Sequence, residues 1–275
     1  MTTALTWLYA PGDRPDVVAK ALAAGADVVV VDLEDAVAPD RKDYARAATA
    51  DLLSEPYQPT PVHVRVNALA TPWAETDLKT LAALPGLSGL RLPKVTSARD
   101  IADTAKRAGT DGRRPPLYAL LESALAVENA YAVASAHPTL HGVSLGEADL
   151  RADLGVRDDS GLDWPRSRVV NAARAAGLAP PPQSVHPDVR DLDGLAATCA
   201  RGRALGFLGR AAIHPRQLAV IERAYLPSPE EIEKAEAVVK AAATNRSAQA
   251  LPDGTFIDAA VVVEAARTLT LAHRR

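Results

Sequence analysis

Two acidic side chains, Glu122 and Asp149, stand at equivalent points of two successive apolar runs in the stretch Leu117–Leu150. Glu122 ends the first run, and Asp149 follows the second. If both runs are neighbouring parallel strands of a barrel, their carboxyl ends open on one face, and the two carboxylates can converge on a divalent cation. Oxygen ligands suit Mg²⁺, which keeps several waters and often needs only one or two protein carboxylates. The pair therefore predicts a magnesium site, and an internal ion-pair network is the structural alternative.

Two cations, Arg65 and Lys94, also stand near the ends of predicted strands. Arg65 could clamp a substrate carboxylate with two hydrogen bonds, or it could pair with Glu34 or Glu122. Lys94 could form a Schiff base, as in a metal-free aldolase, but a lysine among acids stays protonated and is a poor nucleophile. The polar residues at predicted strand ends are Asp32, Glu34, Asp35, Arg65, Asn67, Lys94, Glu122, Glu147, Asp149 and His214.

Eight short apolar runs alternate with Ala-rich helical stretches and would position these side chains. Alternating strand and helix units favour a parallel sheet, and closure into a (β/α)₈ TIM barrel explains why no run reads as an exposed edge. An open doubly wound sheet is less favoured, because no G-x-G-x-x-G or Walker-type motif follows any strand. The predicted strands are Leu5–Ala10, Val28–Glu34, Val62–Asn67, Gly89–Val95, Leu117–Glu122, Gly142–Gly146, Gln183–Val185 and Leu208–Ile213.

The pattern changes after His214, which with Pro215 reads as a helix cap or a positioning group. Ser228, Pro229 and Glu231 have the spacing of a capping box, so a helix is predicted from there to about Thr244. A polar link, residues 245–254, precedes a last amphipathic helix over 259–272. We therefore divide the chain into a barrel, residues 1–227, and a C-terminal helical extension, residues 228–275. We expect the extension to pack on the barrel, to reach across its mouth as a lid, or to reach a neighbouring subunit.

The bulk composition excludes several classes of partner. With 275 residues, 48% hydrophobic and 24% charged, the chain is long enough for one barrel and has a globular composition. A net charge of -3 gives no global field for nucleic acid or an anionic membrane. No run approaches a membrane span, and the single cysteine, Cys199, reads as a buried inert thiol in a helix. We expect a soluble, cytoplasmic protein.

Seven motifs in series resemble one family. LYAPGDRPDVVAKAL, ADVVVVDLEDAVAPDRK, VHVRVNALATPW, LRLPKV, LLESALAVENA, SLGEADLRADLG and AAIHPRQLAVI together are similar to the citrate lyase β-subunit-like branch of the HpcH/HpaI aldolase superfamily, which includes malyl-CoA and citramalyl-CoA lyases. The resemblance runs over nearly the whole chain in the correct order. It implies a (β/α)₈ barrel that assembles as homotrimers or homohexamers and shares its active site with a neighbour's C-terminal segment.

The resemblance also implies roles for particular residues. Glu122 and Asp149 match the ligands of Mg²⁺, which Mn²⁺ could replace. Arg65 matches the arginine that binds the oxo-acid carboxylate, and backbone N–H groups around Ala148 and Asp149 help to hold that carboxylate. The remaining matches are Arg14 and Lys20, which correspond to positions that contact coenzyme A phosphates, and Asp258, which corresponds to the lid aspartate that acts as acid or base.

The implied reaction cleaves a carbon–carbon bond in a malyl-, citramalyl- or citryl-type acyl-CoA, giving a 2-oxo acid and an acyl-CoA, or condenses them in reverse. Departures from the family pattern in SVHPDVRD, at Arg210 and in IDAAVV leave the acyl and oxo-acid preference open. The alternatives are a pyruvate-type aldolase, an acyl-CoA thioesterase on the same scaffold, and a catalytically silent protein that binds oxo acid and coenzyme A.

Overall fold

The computed structural model describes residues 3–109, 114–244, 249–250 and 256–274. Contacts between residues divide the chain into two compact units, one over Ala4–Ile221 and a smaller one that combines Met1–Thr3 with Glu222–Arg275. The proposed boundary after residue 227 stays a prediction, because this division does not test independent folding. Among the described residues, no helix is both long and apolar enough to cross a membrane.

A seven-stranded parallel sheet forms the centre of the larger unit, and its strand order is β6-β5-β4-β3-β2-β1-β7. Both faces of its inner strands are covered, as the continuous apolar run of β2 requires: all five residues of VVVVD are buried. The strands are β1 Thr6–Pro11, β2 Val28–Asp32, β3 Val62–Arg65, β4 Leu87–Leu92, β5 Leu117–Leu121, β6 Leu140–Leu145 and β7 Arg210–Ala212.

Helices follow the strands in alternation, so the unit has an α/β fold of the curled, TIM-barrel-like type. Single helical turns of the 3₁₀ type occupy Pro39–Arg41, Asp159–Leu162 and Pro215–Gln217. The α-helices of this part of the chain are α1 Pro15–Leu22, α2 Lys42–Ser54, α3 Pro72–Leu81, α4 Ala98–Ala108, α5 Ala124–Glu128, α6 Ala130–Ala134, α7 Glu147–Leu154, α8 Asp163–Ala175, α9 Leu192–Ala204 and α10 Leu218–Tyr225.

The predicted strand Gln183–Val185 is wrong as a full strand. Gln183 forms one parallel bridge with Arg210. Its N–H donates to Gly209 O at 2.9 Å, and its carbonyl accepts from Ala211 N at 3.0 Å. Three prolines, Pro180–Pro182, come directly before it and have no N–H to donate to a ladder. Among the described residues no ladder joins this segment to β6, so the seven-stranded sheet does not close through backbone pairing.

The smaller unit contains the two predicted C-terminal helices, α11 Pro229–Thr244 and α12 Ala259–Ala272, and confirms both ranges. The predicted capping box is present, since Ser228 N donates to Glu231 Oε2 at 2.8 Å and Glu231 N donates to Ser228 Oγ at 3.2 Å. Of the predicted link, residues 249–250 (β8) pair antiparallel with Phe256–Ile257 (β9). The other residues of the link lie outside the described part of the chain.

Candidate active site

A cavity of about 480 Å³, here the main cavity, opens where the strands of the sheet end. Seven residues singled out in the sequence lie on its wall, and they come from four different strand ends, as is usual for barrel active sites. These seven are Asp32, Asp35, Arg65, Glu122, Glu147, Ala148 and Asp149. The main cavity therefore brings together the predicted metal ligands and the predicted carboxylate-binding arginine.

Glu122 follows β5 directly and is 4% exposed. One carboxylate oxygen, Oε1, accepts the backbone N–H of Lys94 at 2.6 Å. Lys94 reaches this geometry with a φ of 54°, a left-handed conformation that is uncommon for a residue other than glycine. Burial, together with the negative charges of Glu34 and Asp149, raises the pKa of Glu122 to about 7, against the opposing hydrogen bond and charge of Lys94. Among the described residues, Glu122 is thus a buried carboxylate without an ion-pair partner.

Asp149 lies in the first turn of α7, which begins immediately after Gly146. A Cβ atom on Gly146 would lie 2.4 Å from Glu122 Oε2 and 2.5 Å from Glu122 Cβ, so glycine is needed for Glu122 to occupy its place. Among the described residues, Asp149 has no ion pair or side-chain hydrogen bond. No cluster of three or more His, Cys, Asp or Glu side chains suited to a metal is found in the described part of the chain. Two carboxylates on the cavity wall that have no ion-pair partner among the described residues fit a cation such as Mg²⁺, which completes its shell with water and substrate.

Arg65 is already paired with acids. Its Nε and NH2 donate to the two oxygens of Asp32 at 2.7 and 2.6 Å, and its NH1 lies 3.0 Å from Glu34 Oε2. Burial alone would lower the pKa of Arg65, but the hydrogen bonds and charge of Asp32 outweigh it and raise that pKa. The predicted alternative, an ion pair between Arg65 and Glu34, is confirmed. Among the described residues Arg65 has no ion pair with Glu122, and its pairing with Asp32 was not predicted from the sequence. The guanidinium nevertheless remains on the wall of the main cavity.

Lys94 is held by Glu34, whose Oε1 lies 2.6 Å from Lys94 Nζ. Burial lowers the pKa of Lys94, but the hydrogen bond and charge of Glu34 outweigh burial and raise the pKa overall. A lysine with a raised pKa is protonated and cannot attack a carbonyl, so the Schiff-base alternative has no support here. Lys42 was missed in the sequence. It donates to Leu33 O and Glu34 O at 2.7 and 2.6 Å, and its place on the buried face of α2 is the signal that could have revealed it.

Other polar residues at strand ends have structural roles. Asn67 N and Nδ2 both donate to Asp77 Oδ2, at 2.9 and 2.7 Å. Glu147 accepts two hydrogen bonds from Arg166, at 2.9 and 2.7 Å, and Asp153 accepts the Ala124 N–H at 2.7 Å. Among the described residues, Asp149 is therefore the acid of α7 whose side chain has no hydrogen bond. His214 caps a helical turn, since its Nδ1 accepts Arg216 N at 3.1 Å, as predicted.

Cys199 confirms the expectation of an inert thiol. Its side chain is fully buried in α9, and burial raises the pKa of the thiol against the opposing charge of Arg210. A buried thiol with a raised pKa is seldom ionised and is a poor nucleophile. The predicted site therefore gains no covalent catalyst from this residue.

Three predicted residues lie off the wall of the main cavity. Arg14 is the exposed residue before α1, and Lys20 forms an exposed pair with Asp16 at 3.6 Å. Asp258 caps α12 in the smaller unit, where its Oδ1 accepts Ala260 N and Val261 N at 2.9 and 3.0 Å. Their roles toward coenzyme A phosphates and in proton transfer stay predictions.

Arg91 lines the main cavity and was missed as a functional candidate. It stands inside β4 between Leu90 and Leu92, and a charged residue between two buried leucines of a strand is the signal that could have found it. Arg91 also lines a second, smaller space of about 70 Å³, here the floor cavity. A third space of about 390 Å³, the side cavity, shares Gln183–Val185 with the main cavity.

Residues 5–215 match the model of a family described as HpcH/HpaI aldolase/citrate lyase. A (3S)-malyl-CoA thioesterase of Cereibacter sphaeroides is 35% identical, over 97% of this chain and 93% of the relative. A citrate lyase subunit beta of Leuconostoc mesenteroides subsp. cremoris is 33% identical, over 98% of this chain and 93% of the relative. The solved structure of CitE from Mycobacterium tuberculosis with magnesium, acetoacetate and coenzyme A superposes with a TM-score of 0.83, covers 98% of both chains and is 34% identical.

Proposed function

We propose, from the premise that the chain belongs to the HpcH/HpaI aldolase/citrate lyase family, that it is an Mg²⁺-dependent carbon–carbon lyase of 3-hydroxy-3-carboxy acyl-CoA thioesters. The observation that carries the proposal is the convergence of Glu122, Asp149 and Arg65 on one cavity. A solved relative with magnesium, acetoacetate and coenzyme A supports the same ligand classes. In this proposal the seven-stranded sheet is completed into a (β/α)₈ barrel by the segment around Gln183.

Glu122 and Asp149 would hold the cation. When bound, Mg²⁺ would polarise the hydroxyl and carboxylate oxygens of the substrate and so lower the hydroxyl pKa. The raised pKa of Glu122 supports this assignment, because a buried carboxylate beside other acids is stabilised by a cation. Mn²⁺ has similar ligand preferences and could substitute.

Arg65 and the start of α7 would bind the substrate carboxylate. Arg65 is fixed by Asp32 and Glu34, so its guanidinium is positioned before substrate arrives. The N–H groups of Ala148 and Asp149 belong to the first turn of α7, where backbone donors are free of intrahelical partners. Together they would orient the carboxylate beside the two metal-binding acids.

Bond cleavage then requires two proton transfers. The hydroxyl proton would pass to the Asp258 carboxylate or to a water that it orients, and the hydroxyl oxygen becomes the carbonyl of the 2-oxo acid. The electrons of the broken carbon–carbon bond pass to the thioester as an enolate. The enolate takes up a proton to give the acyl-CoA. Asp258, or a water that it orients, would supply that proton from the C-terminal extension, acting as a lid over its own or a neighbouring subunit.

Coenzyme A would be bound outside the main cavity through its phosphates. Arg14 and Lys20 stand at the start and on the last turn of α1, and both are exposed. Exposed cations suit phosphate groups that stay in contact with solvent. We also propose a homotrimer or homohexamer, which would let the extension of one subunit serve its neighbour.

Thioester hydrolysis is the second candidate, because one relative that is 35% identical is named a malyl-CoA thioesterase. Both reactions would begin from the same bound acyl-CoA. They differ in products: a lyase gives oxo acid and acyl-CoA, whereas a thioesterase gives free coenzyme A and the hydroxy acid.

Product analysis tests the proposed function. Purified protein with Mg²⁺ is incubated with malyl-, citramalyl- or citryl-CoA, and oxo acid, acyl-CoA and free coenzyme A are each measured. We expect oxo acid and acyl-CoA in equal amounts from at least one substrate, and none after addition of a chelator. Free coenzyme A without oxo acid would overturn the lyase proposal in favour of the thioesterase.

Mg²⁺ binding is expected to weaken as the pH falls below the pKa of Glu122, about 7. Proton and cation compete for the same carboxylate, so the apparent affinity should fall by roughly tenfold per pH unit below that value. The same raised pKa stabilises the metal-free protein at low pH, and this contribution is lost as the pH rises from 4.5 to about 7. Calorimetric titration with Mg²⁺ on both sides of neutrality measures the effect.

Glu122→Gln is the control for this pH dependence, because the amide has nearly the same shape and does not titrate. The variant should bind Mg²⁺ weakly at every pH and lose the dependence near neutrality. An affinity of the unmodified protein that stays constant through this range would contradict the role of Glu122.

A further inference from the structure

Arg91 is a buried cation that has no counter-ion in the part of the chain that the structure describes. Its side chain is 3% exposed, and its Nε has no hydrogen-bond partner. Among the described residues no carboxylate lies within the ion-pair distance of its guanidinium, and no side-chain hydrogen bond to it is found. Since an arginine stays charged in proteins, an unpaired guanidinium at this depth is destabilising by itself. A ligand anion would supply the missing charge.

The neighbouring groups cannot supply that anion. Asp32 is saturated, because both its oxygens accept from Arg65 and one of them also accepts Glu34 N at 2.9 Å. His63 is neutral at physiological pH, since burial, followed by the charge of Arg91, lowers its pKa well below the usual value. In the sheet register, Arg91 is partnered by Arg65 on one side and by Tyr118 on the other.

Aromatic rings hold the Arg91 guanidinium in place. Its central carbon lies 5.9 Å from the ring centroid of Trp7 and 5.4 Å from that of Tyr118. Trp7 belongs to β1 and Tyr118 to β5, so the two rings that contact the guanidinium come from different strands of the sheet. Arg91 borders both the main cavity and the floor cavity, and it therefore forms the floor of the main cavity. Cation–π contacts orient such a group but do not neutralise it.

Ser144 adds a second buried donor at the same place. Its side chain is 8% exposed and lines both the main and the floor cavity, as Arg91 does. No side-chain hydrogen bond of Ser144 occurs among the described residues. A forked guanidinium and a hydroxyl on one small surface form a set of donors that suits a carboxylate.

The substrate has one substituent that could reach this floor. With hydroxyl and first carboxylate held near Glu122, Asp149 and Arg65, the thioester arm must lead outward, because coenzyme A needs solvent for its phosphates. The remaining substituent on the hydroxyl-bearing carbon is then directed inward. It is hydrogen in a malyl thioester, methyl in a citramalyl thioester and a carboxymethyl group in a citryl thioester.

We propose that Arg91 and Ser144 bind the second carboxylate of a four-carbon oxo acid, so that the site selects citryl-type thioesters and oxaloacetate over their malyl and citramalyl counterparts. This inference rests on the proposed function, since it takes the first carboxylate to be bound by the metal site and Arg65. Hydrogen or methyl at the same position would leave Arg91 buried and unpaired, and a buried polar site rejects a ligand that cannot complete it.

Binding of the two free oxo acids to the unmodified protein gives the first test. Calorimetric titrations with pyruvate and with freshly dissolved oxaloacetate, both in Mg²⁺, should show oxaloacetate binding more tightly by on the order of 10- to 100-fold, the range of a hydrogen bond to a charged group. Equal affinities would overturn the inference and leave the proposed function intact. Failure of both acids to bind would overturn the oxo-acid site itself, and the proposed function with it.

Variants give the second test. Arg91→Met should weaken oxaloacetate binding by the same order of magnitude while pyruvate and Mg²⁺ bind as before, and Ser144→Ala should reproduce the change to a smaller degree. Arg99→Met, which removes an exposed arginine of α4, is the matched control and should change neither affinity. If Arg91→Met weakens both acids equally, or only lowers the melting temperature, Arg91 is a structural residue and the inference fails. If Arg91→Met does not fold, the comparison of oxaloacetate and pyruvate binding to the unmodified protein still tests the inference.

Discussion

Asp149→Ala is expected to abolish Mg²⁺-dependent cleavage while the chain stays folded. Asp149 is half-buried in the first turn of α7, and its side chain has no ion pair or hydrogen bond among the described residues. Its removal should therefore disturb packing little. The cation would be left with Glu122 as its one protein carboxylate. Lewis-acid stabilisation is worth several kcal/mol, and each 1.36 kcal/mol is tenfold, so turnover should fall by roughly 1000-fold or more.

Steady-state product formation and Mg²⁺ titration measure this loss, and circular dichroism reports the fold. Asp193→Ala serves as the control, because it removes an exposed acid from the first turn of another helix, α9, outside the main cavity. It should retain activity and Mg²⁺ affinity. Unchanged turnover in Asp149→Ala would rule out Asp149 as a metal ligand.

Arg65→Met is expected to lower the free energy of unfolding and to remove oxo-acid binding. Asp32 is 2% exposed and gives both oxygens to Arg65, and Glu34 lies 3.0 Å from it. Removing the cation leaves the buried carboxylate of Asp32 without its principal partner, whereas Glu34 keeps its ion pair with Lys94. Breaking a buried pair in this way costs about 3–5 kcal/mol. Urea unfolding measures the change, and titration of the folded variant with pyruvate measures binding.

Arg65→Lys separates the two effects of this residue. It keeps the charge but not the planar fork, so part of the stability should return while pyruvate binding stays weak. Arg99→Met should leave both quantities unchanged. An Arg65→Met protein that unfolds at the same urea concentration as the unmodified protein would show that Asp32 and Glu34 do not depend on this pair.

Local signals in the sequence were enough to predict the C-terminal helices and most of the strands. The Ser228–Glu231 capping box defines where α11 begins, because both of its hydrogen bonds form within four residues. The run at Val28 predicts β2, although the strand ends at Asp32 rather than Glu34. The missing N–H groups of the prolines at 180–182 explain why the next predicted strand is reduced to one bridge.

The site residues that are defined by their position at a strand end could be predicted from the sequence. The hydrogen-bond and ion-pair partners of those residues could not. Glu122 and Asp149 follow from the rule that barrel sites form at strand ends. The choice of Asp32 as the partner of Arg65 depends on the register between β2 and β3, which no local pattern determines. Arg91 was missed for a related reason: its importance lies in the absence of a described counter-ion, and only the packed sheet reveals that.

The proline-rich segment before Gln183, which includes Pro182 on the wall of the main cavity, also affects how new substrate preferences could evolve on this scaffold. Residues 181–183 make three backbone hydrogen bonds to residues 208–211, in β7 and directly before it, and no described ladder joins them to β6. Yet Gln183–Val185 line both the main cavity and the side cavity. Mutations in this stretch can reshape both spaces without shifting the ladder from β1 to β6, which sets the positions of Arg65 and Glu122. Divergence of acyl preference could thus proceed in one segment while the reaction chemistry is preserved.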